Sequence, residues 1–303
     1  MIVVLVTLLV GAALWSAEPA VDFIQITDTH VVDLAEVHPA LAKSREHFAK
    51  TGAALDHFLT SVAPSLRPAF LLHTGDISDA YCFDRASGAP VCRGVERFEP
   101  ILRRSPVPVY LTLGNHDVQI YRHKENDPRP ASDYSVAAQA RKDWAAASRH
   151  FRKGTYYNFK RRAGKTSYVF LVLDNGDRKL AKDSAFSAAQ LAWLGKQAVR
   201  RKEVLILVMH VPLGNDAYSA EIKGALAGAG RVALSIAGHR HSDGIEEIAA
   251  GDLRFPQVRT AAFGYGENNW RRFRLLEDRI EIGAPGKSDA VERTVPVSSG
   301  GRR

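Results

Sequence analysis

Nine side chains that can bind metals or move protons sit at short spacing just behind apolar runs. They are Asp28 and His30 in Asp28-Thr29-His30, Asp76 and Asp79 in Gly75-Asp76-Ile77-Ser78-Asp79, Asn115 and His116 in Gly114-Asn115-His116-Asp117, His210 on its own, and His239 and His241 in Gly238-His239-Arg240-His241. Three oxygen donors (Asp28, Asp76, Asn115) and four imidazoles (His30, His210, His239, His241) are too many ligands for one tetrahedral ion. Two ions fit better. A mixed oxygen and nitrogen set without thiolate suits Mn, Fe, Zn or Co, and a single carboxylate can bridge two ions about 3.5 to 4 Å apart. Such a pair brings a bridging water toward its hydroxide form at neutral pH and clamps phosphoryl oxygens during in-line displacement. No redox cofactor is called for.

The elements that must carry these residues are short. Val21 to Thr27, Ala69 to His73, Val107 to Leu113, Tyr168 to Leu173, Val204 to Met209 and Val232 to Ala237 are apolar runs bounded by turn residues, and read as buried strands. Helical spacing is expected over Ala40 to Val62, Ser135 to Ser148 and Ser187 to Val199. Strand and helix alternate, so the class is α/β. In such folds ligands bind in the crevice at the carboxyl ends of the strands, so the five clusters should converge on one site. Later, Val258 to Phe263, Trp270 to Leu275 and Arg279 to Ile282 follow one another with only turns between them, as in an antiparallel meander closing a sheet. From Ala284 to Arg303 periodicity gives way to Gly, Pro and Ser, and a disordered tail is expected.

The 303 residues carry 41 Lys plus Arg against 33 Asp plus Glu, a net charge of +8. With 46% hydrophobic and 24% charged residues, wholesale disorder, collagen-like repeats and a polytopic membrane protein are excluded. Ile2 to Trp15 is uncharged, and its 14 residues fall short of the roughly 20 that span a bilayer. Residues 1–17 are expected to be an export signal, with an uncleaved anchor or a buried helix as the alternatives. Export to the periplasm or beyond would let Cys82 and Cys92 pin a surface loop; two free thiols are the other reading.

The blocks DTH, GDISD, GNHD, a lone His and GHRH, in this order from Asp28 to His241, resemble those of the calcineurin-like metallophosphoesterase superfamily. The resemblance implies a four-layer sandwich, two mixed β-sheets face to face and flanked by helices, in a domain spanning residues 21–283. It further implies two divalent or trivalent ions, with Mn, Fe or Zn foremost. Asp28, His30 and His241 would hold one, Asn115, His210 and His239 the other, and Asp76 would bridge them. His116 would protonate the leaving oxygen, Asp79 would orient His116, and Asp117 would help hold the loop. One position departs from a common form of the family: Met209 stands before His210 where many relatives carry paired histidines, which bears on the substrate side more than on catalysis. Gln25-Ile26-Thr27-Asp28-Thr29-His30 resembles the first block of bacterial cyclic-nucleotide phosphodiesterases, and so favours a small phosphodiester over a monoester.

The remaining histidines, His38, His47, His57, His73, His123 and His150, are expected to be solvated or locally hydrogen-bonded, with His73 placed to support the Asp76 loop. The basic runs Lys160 to Arg162, Arg200 to Lys202 and Arg271-Arg272 lack interleaved aromatics and read as solvated faces, so a nucleic-acid partner is not expected. Arg240 could reach a substrate phosphate by a forked contact. Two other functions compete: a catalytically silent binding module, which predicts a lost ligand, and a basic nucleic-acid-processing protein, which predicts steeply salt-dependent binding. No ligand of the set is missing.

Overall fold

In the computed structural model, which describes residues 20–37, 39–84, 90–92, 94–124, 127–177, 185–199 and 202–297, side chains of the central strands are buried on both faces and enter two apolar layers in alternation. In β1 (Val21–Ile26), Phe23 enters one apolar layer while Ile24 and Ile26 enter another. β2 (Phe70–His73) repeats this, with Phe70 and Leu72 on one face and Leu71 on the other. Two-sided burial is what strands in the middle of a layered α/β fold require. β2 pairs in parallel with β1 on one side and with β5 (Val109–Leu111) on the other. β14 (Arg271–Leu275), β15 (Arg279–Gly283) and β16 (Val291–Pro296) extend this first sheet antiparallel, giving the order β16-β15-β14-β1-β2-β5.

The second sheet is built the same way. β9 (Thr166–Val172), β10 (Val204–Val208), β11 (Val232–Ala237) and β13 (Leu253–Arg259) are parallel, with antiparallel β8 (Tyr157–Ala163) and β12 (Gly244–Ala250) at the edges. Phe23 stacks between Phe70 and Phe273 at 4.8 Å and meets Phe170 of the facing sheet edge-on at 5.4 Å, so aromatic contacts join the sheets. The outer face of the first sheet is covered by α2 (Thr51–His57), α4 (Gly94–Leu102) and α5 (Ala137–Ala147), through Leu55, Phe98 and Trp144. That of the second is covered by α6 (Ala185–Ala198) and α7 (Ala217–Ala225), through Leu194 and Ile222. The result is the expected four-layer α/β sandwich.

A small third sheet, β4-β3-β6-β7, joins β3 (Cys82–Asp84), β4 (Pro90–Cys92), β6 (Ile120–Lys124) and β7 (Asp127–Asp133). Cys82 is disulfide-bonded, and Cys92, opposite it in the ladder, is the only other cysteine of the chain. The free-thiol reading is therefore set aside.

Four expectations change. The helix over Ala40 to Val62 is broken into α1 (Pro39–Arg45), a 3₁₀ turn at Glu46–Phe48, α2 and a π turn at Phe58–Val62 running into α3 (Ala63–Ser65). The break lets Phe48 stack on His30 at 4.4 Å. The meander does not include the strand before Phe263, because β13 belongs to the second sheet while β14 and β15 close the first. The disordered tail is corrected over 284–297: β16 pairs antiparallel with β15 and buries Val295 and Val297 between the sheets. The basic runs are only partly solvated. Arg271 is wholly buried and donates to Gly283 O at 2.7 Å and to Glu292, and Arg161 lies over the rings of Phe70, Tyr110 and Phe159. Residues 1–17, 200–201 and 298–303 lie outside the described residues. No helix among the described residues is long and apolar enough to cross a membrane.

Candidate metal centre

All nine residues follow parallel strands at one end of the sandwich: Asp28 and His30 after β1, Asp76 and Asp79 after β2, Asn115 and His116 after β5, His210 after β10, and His239 and His241 after β11. The chain is bent hard there. Six residues other than glycine have positive φ among the described residues, and five of them are Asp28 (52°), His30 (45°), Asp76 (51°), His239 (68°) and His241 (52°). Each such conformation costs of order 1 kcal/mol, and persists because the surroundings hold it. Gly114 is required by space, since a Cβ there would lie 2.2 Å from Asp76 N and Oδ1. Below the site, Gln25 joins the sheets by donating to Thr74 Oγ1 and Ala237 O, both at 2.9 Å.

Two clusters of ligand atoms result. In the first, ligand atoms of Asp28, His30, Asp76 and His241 all lie within 4.8 Å of one another. Asp28 Oδ1 is 3.1 Å from His241 Nε2 and 3.9 Å from His30 Nε2, and the two imidazole nitrogens are 3.3 Å apart. In the second, Asp76, His210 and His239 come together. Asn115 Oδ1 joins them, 3.1 Å from His210 Nε2 and 2.9 Å from His239 Nδ1. Asp76 Oδ2 is 3.7 Å from His30 Nε2 and 3.1 Å from His210 Nε2, and so belongs to both.

The ring tautomers follow from what lies behind each imidazole. His210 Nδ1 faces the carbonyl of Thr74 at 2.8 Å and must donate to it, which leaves Nε2 free for the cluster. His30 Nδ1 faces Asp79 Oδ1 at 3.2 Å, with the same consequence. His73 receives Gly75 N–H at Nδ1 (3.3 Å), so its proton is on Nε2, donated to Thr29 Oγ1 at 3.0 Å. Thr29 in turn donates to Ile77 O at 2.8 Å. Burial pushes the His73 pKa down to about 3, consistent with a neutral ring that ties the Asp28 and Asp76 loops together.

His116 and Asp79 form a third group with His30. His116 Nδ1 donates to the main-chain carbonyl of Asp79 at 2.6 Å, while the Asp79 carboxylate is 3.5 Å away. Asp79 thus lies where it can orient His116, more through its backbone than through its acid. Its carboxylate instead takes Arg45 Nε at 2.7 Å and His30 Nδ1. Burial opposes ionisation of Asp79, but His116 and His30 outweigh it and hold the pKa far below the ordinary range. Burial likewise opposes protonation of His116 and His210, and is outweighed by Asp76, so that each pKa rises to about 9.

Asp117 holds the Asp76 and Asn115 loops together by accepting from Ile77 N, Ser78 N and Gly114 N at 2.8 to 3.1 Å. Four supporting residues escaped sequence reasoning. Arg45 bonds Tyr121 as well as Asp79, and Tyr121 Oη is 3.0 Å from His116 Nδ1. Asn175 Oδ1 accepts from His210 N and Val211 N at 3.1 and 3.0 Å. Arg141 clamps the loop after β9 through Asp174 and Asp177, with contacts of 2.6 to 3.1 Å. Arg45, Tyr121 and Arg141 carried no signal in sequence, because each stands far along the chain from the group it holds. Asn175, in Leu173-Asp174-Asn175 behind an apolar run, did carry the strand-end signal.

The residues fit metal ions. Asp28 Oδ1 is buried and accepts no hydrogen bond, which is costly for a carboxylate unless a cation completes it. Two buried carboxylates, an amide oxygen and four imidazoles that each bring a ring nitrogen to the clusters form two oxygen and nitrogen sets without sulfur. Arg240 is exposed between His239 and His241.

Residues 21–243 match the calcineurin-like phosphoesterase family. A dimetal phosphatase of Danio rerio is similar in fold, with a TM-score of 0.62 at 16% identity, over 93% of this chain and 100% of that one. A calcineurin-like phosphoesterase of Bacillus subtilis aligns over 93% of this chain and 90% of its own, at 13% identity and a TM-score of 0.42. Among curated proteins nothing matches the sequence.

Proposed function

The chain belongs to the calcineurin-like phosphoesterase family and is a metal-dependent phosphoesterase, and from that premise we propose that it hydrolyses small phosphodiesters, with phosphomonoesters as lesser substrates, using His116 as the general acid. One observation carries the reading: the Asp76 carboxylate belongs to both ligand clusters at once. Asp28, His30 and His241 would hold one cation, Asn115, His210 and His239 the other, and Asp76 would be shared between them. Bound cations, of which Mn, Fe and Zn suit the donors best, would supply Lewis-acid charge for water activation and for the phosphoryl oxygens.

The protein's own part is positioning and proton transfer. His116 Nδ1 is tied to Asp79 O, so its Nε2 is the nitrogen left to give a proton to the leaving oxygen. Asp79 keeps His30 in one tautomer, and Asp117 keeps the loops bearing Asp76 and His116 in register. The preference for a diester rests on the likeness of Gln25 to His30 to the first block of bacterial cyclic-nucleotide phosphodiesterases. Action outside the cytoplasm is part of the proposal, supported by the apolar segment Ile2 to Trp15 and by the disulfide at Cys82.

The test is hydrolysis of bis-p-nitrophenyl phosphate and p-nitrophenyl phosphate by the Mn²⁺-loaded protein beside an Asp76→Asn variant. The variant is expected to bind fewer than two metals by elemental analysis and to lose about 10³-fold or more in kcat/KM. A faster rate on the diester supports the preference, and full activity in the variant overturns the reading.

A further inference from the structure

Tyr265 is the most open of the large apolar side chains left exposed among the described residues, at 55%. It stands beside the metal centre on a turn held from both sides. In the turn Phe263–Tyr265, Phe263 N donates to Thr27 O at 2.9 Å and Gly264 N to Asp28 O at 3.1 Å. Phe263 is buried edge-on to Phe58, and Asn269 Nδ2 closes the far side by donating to Ala262 O at 2.7 Å. A Cβ at Gly264 would lie 2.5 Å from the Phe48 ring, so only glycine lets the turn press this close. The turn is thus anchored by Phe263, Gly264 and Asn269, and the Tyr265 ring is left outside.

That ring is aligned with its neighbours. It stacks on exposed His47 at 5.1 Å and 28°, lies nearly parallel to Phe48 at 5.6 Å and 22°, and meets His241 edge-on at 5.0 Å. Phe48 in turn stacks on His30. The exposed Tyr265 ring therefore touches one residue of the first cluster, His241, and stands one ring away from a second, His30. Water covers the face of such a ring poorly, whereas a second planar ring gains both apolar burial and stacking geometry from it.

We infer that Tyr265, with His47 beside it, is the platform on which the esterified group of the substrate stacks, and that this group carries a planar aromatic ring close to the phosphoryl group. The inference rests on the phosphoesterase reading and adds a substrate class to it. An aryl ester and a nucleoside ester share this chemistry.

Calorimetric titration of the Mn²⁺-loaded protein with non-hydrolysable ligands separates them, with phenylphosphonate against methylphosphonate as one pair and, as the other, the phosphonate isosteres of adenosine 5′-monophosphate and ribose 5-phosphate, in which a CH₂ replaces the ester oxygen. Tyr265→Ala is expected to weaken the ring-bearing member of one pair about tenfold, and the ring-free member by less than about twofold, while Tyr265→Phe keeps the difference. Selective loss in the first pair supports an aryl ester; selective loss in the second supports a nucleoside ester. Equal loss within both pairs, no loss in either, or a wild-type protein that does not favour the ring overturns the platform. Failure of the phosphoesterase reading is seen separately, as absence of ester hydrolysis by the wild-type protein.

Discussion

The two sides of the metal centre are supported by different chemistry. Behind the first cluster stands a charged chain, in which His30 Nδ1 meets the Asp79 carboxylate at 3.2 Å and Asp79 meets Arg45 at 2.7 Å. Behind the second stand neutral dipoles: the Thr74 carbonyl receives His210 Nδ1, and the Asn175 amide fixes His210 N and Val211 N. A carboxylate behind an imidazole makes it a more basic ligand, while a carbonyl chiefly fixes the tautomer. The first cluster also has two carboxylates, Asp28 and Asp76, where the second has Asp76 and an amide. The centre is therefore electrostatically lopsided, with more carboxylate charge gathered at the first cluster.

Removing each support in turn gives the largest effect. Asp79→Asn keeps the shape and deletes the charge behind His30, and should weaken one of the two sites for Mn²⁺ or Zn²⁺ about 10- to 100-fold. Asn175→Ala should weaken the other site, by about tenfold or less, since only neutral hydrogen bonds are lost. Two-site calorimetric titration of both variants reads this directly. If both substitutions weaken the same site, or Asn175→Ala does more than Asp79→Asn, the asymmetry is not in the supporting residues.

The lopsidedness was half legible in the sequence. Asp28, His30, Asp76, Asn115, His210, His239 and His241 announce themselves because a ligand just past a strand end needs only the strand and a tight bend, and both leave local marks. Arg45, Tyr121 and Tyr265 do not. Arg45 ends α1, and only folding brings it to Asp79; Tyr121 arrives on β6 of a third sheet that no apolar run foretold. The fold was legible where strands are buried on both faces. It was not where tertiary contacts override a local pattern: the helix after Pro39 breaks so that Phe48 can reach His30, and Val291–Pro296 forms a strand despite its Pro and Gly surroundings because Val295 fills the space between the sheets.

A smaller effect isolates the charged side from the metals. Tyr121→Phe removes the hydroxyl that touches both Arg45 and His116 Nδ1, but no candidate ligand. If that hydroxyl helps aim His116, kcat should fall about fivefold for alkyl phosphoesters, whose leaving oxygens need a proton, and scarcely change for p-nitrophenyl esters, which leave as the anion. KM and metal content should stay at wild-type values. An equal fall for both kinds of ester would make Tyr121 a packing residue only.

The smallest effect concerns protons in the metal-free protein, where the sides should titrate differently. The His210 pKa is raised from the ordinary 6.5 to about 9, with burial opposing and Asp76 prevailing. A raised pKa adds stability that is complete below about 6.5 and disappears as pH rises through about 9. His30 is shifted the other way, lowered by burial and by the charge on His116, so it contributes nothing to an alkaline loss. The Tm of the metal-free protein should therefore fall by a few degrees between about pH 7 and about pH 10, less steeply in His210→Gln and as steeply in His30→Gln. His116, also raised to about 9, supplies the slope that remains in His210→Gln. Saturating Mn²⁺ should flatten the curve, because cations take the place of the protons that balance Asp76. Identical slopes in the two variants would mean that the sides share one proton pool, and that the contrast drawn from their supports does not extend to their charge.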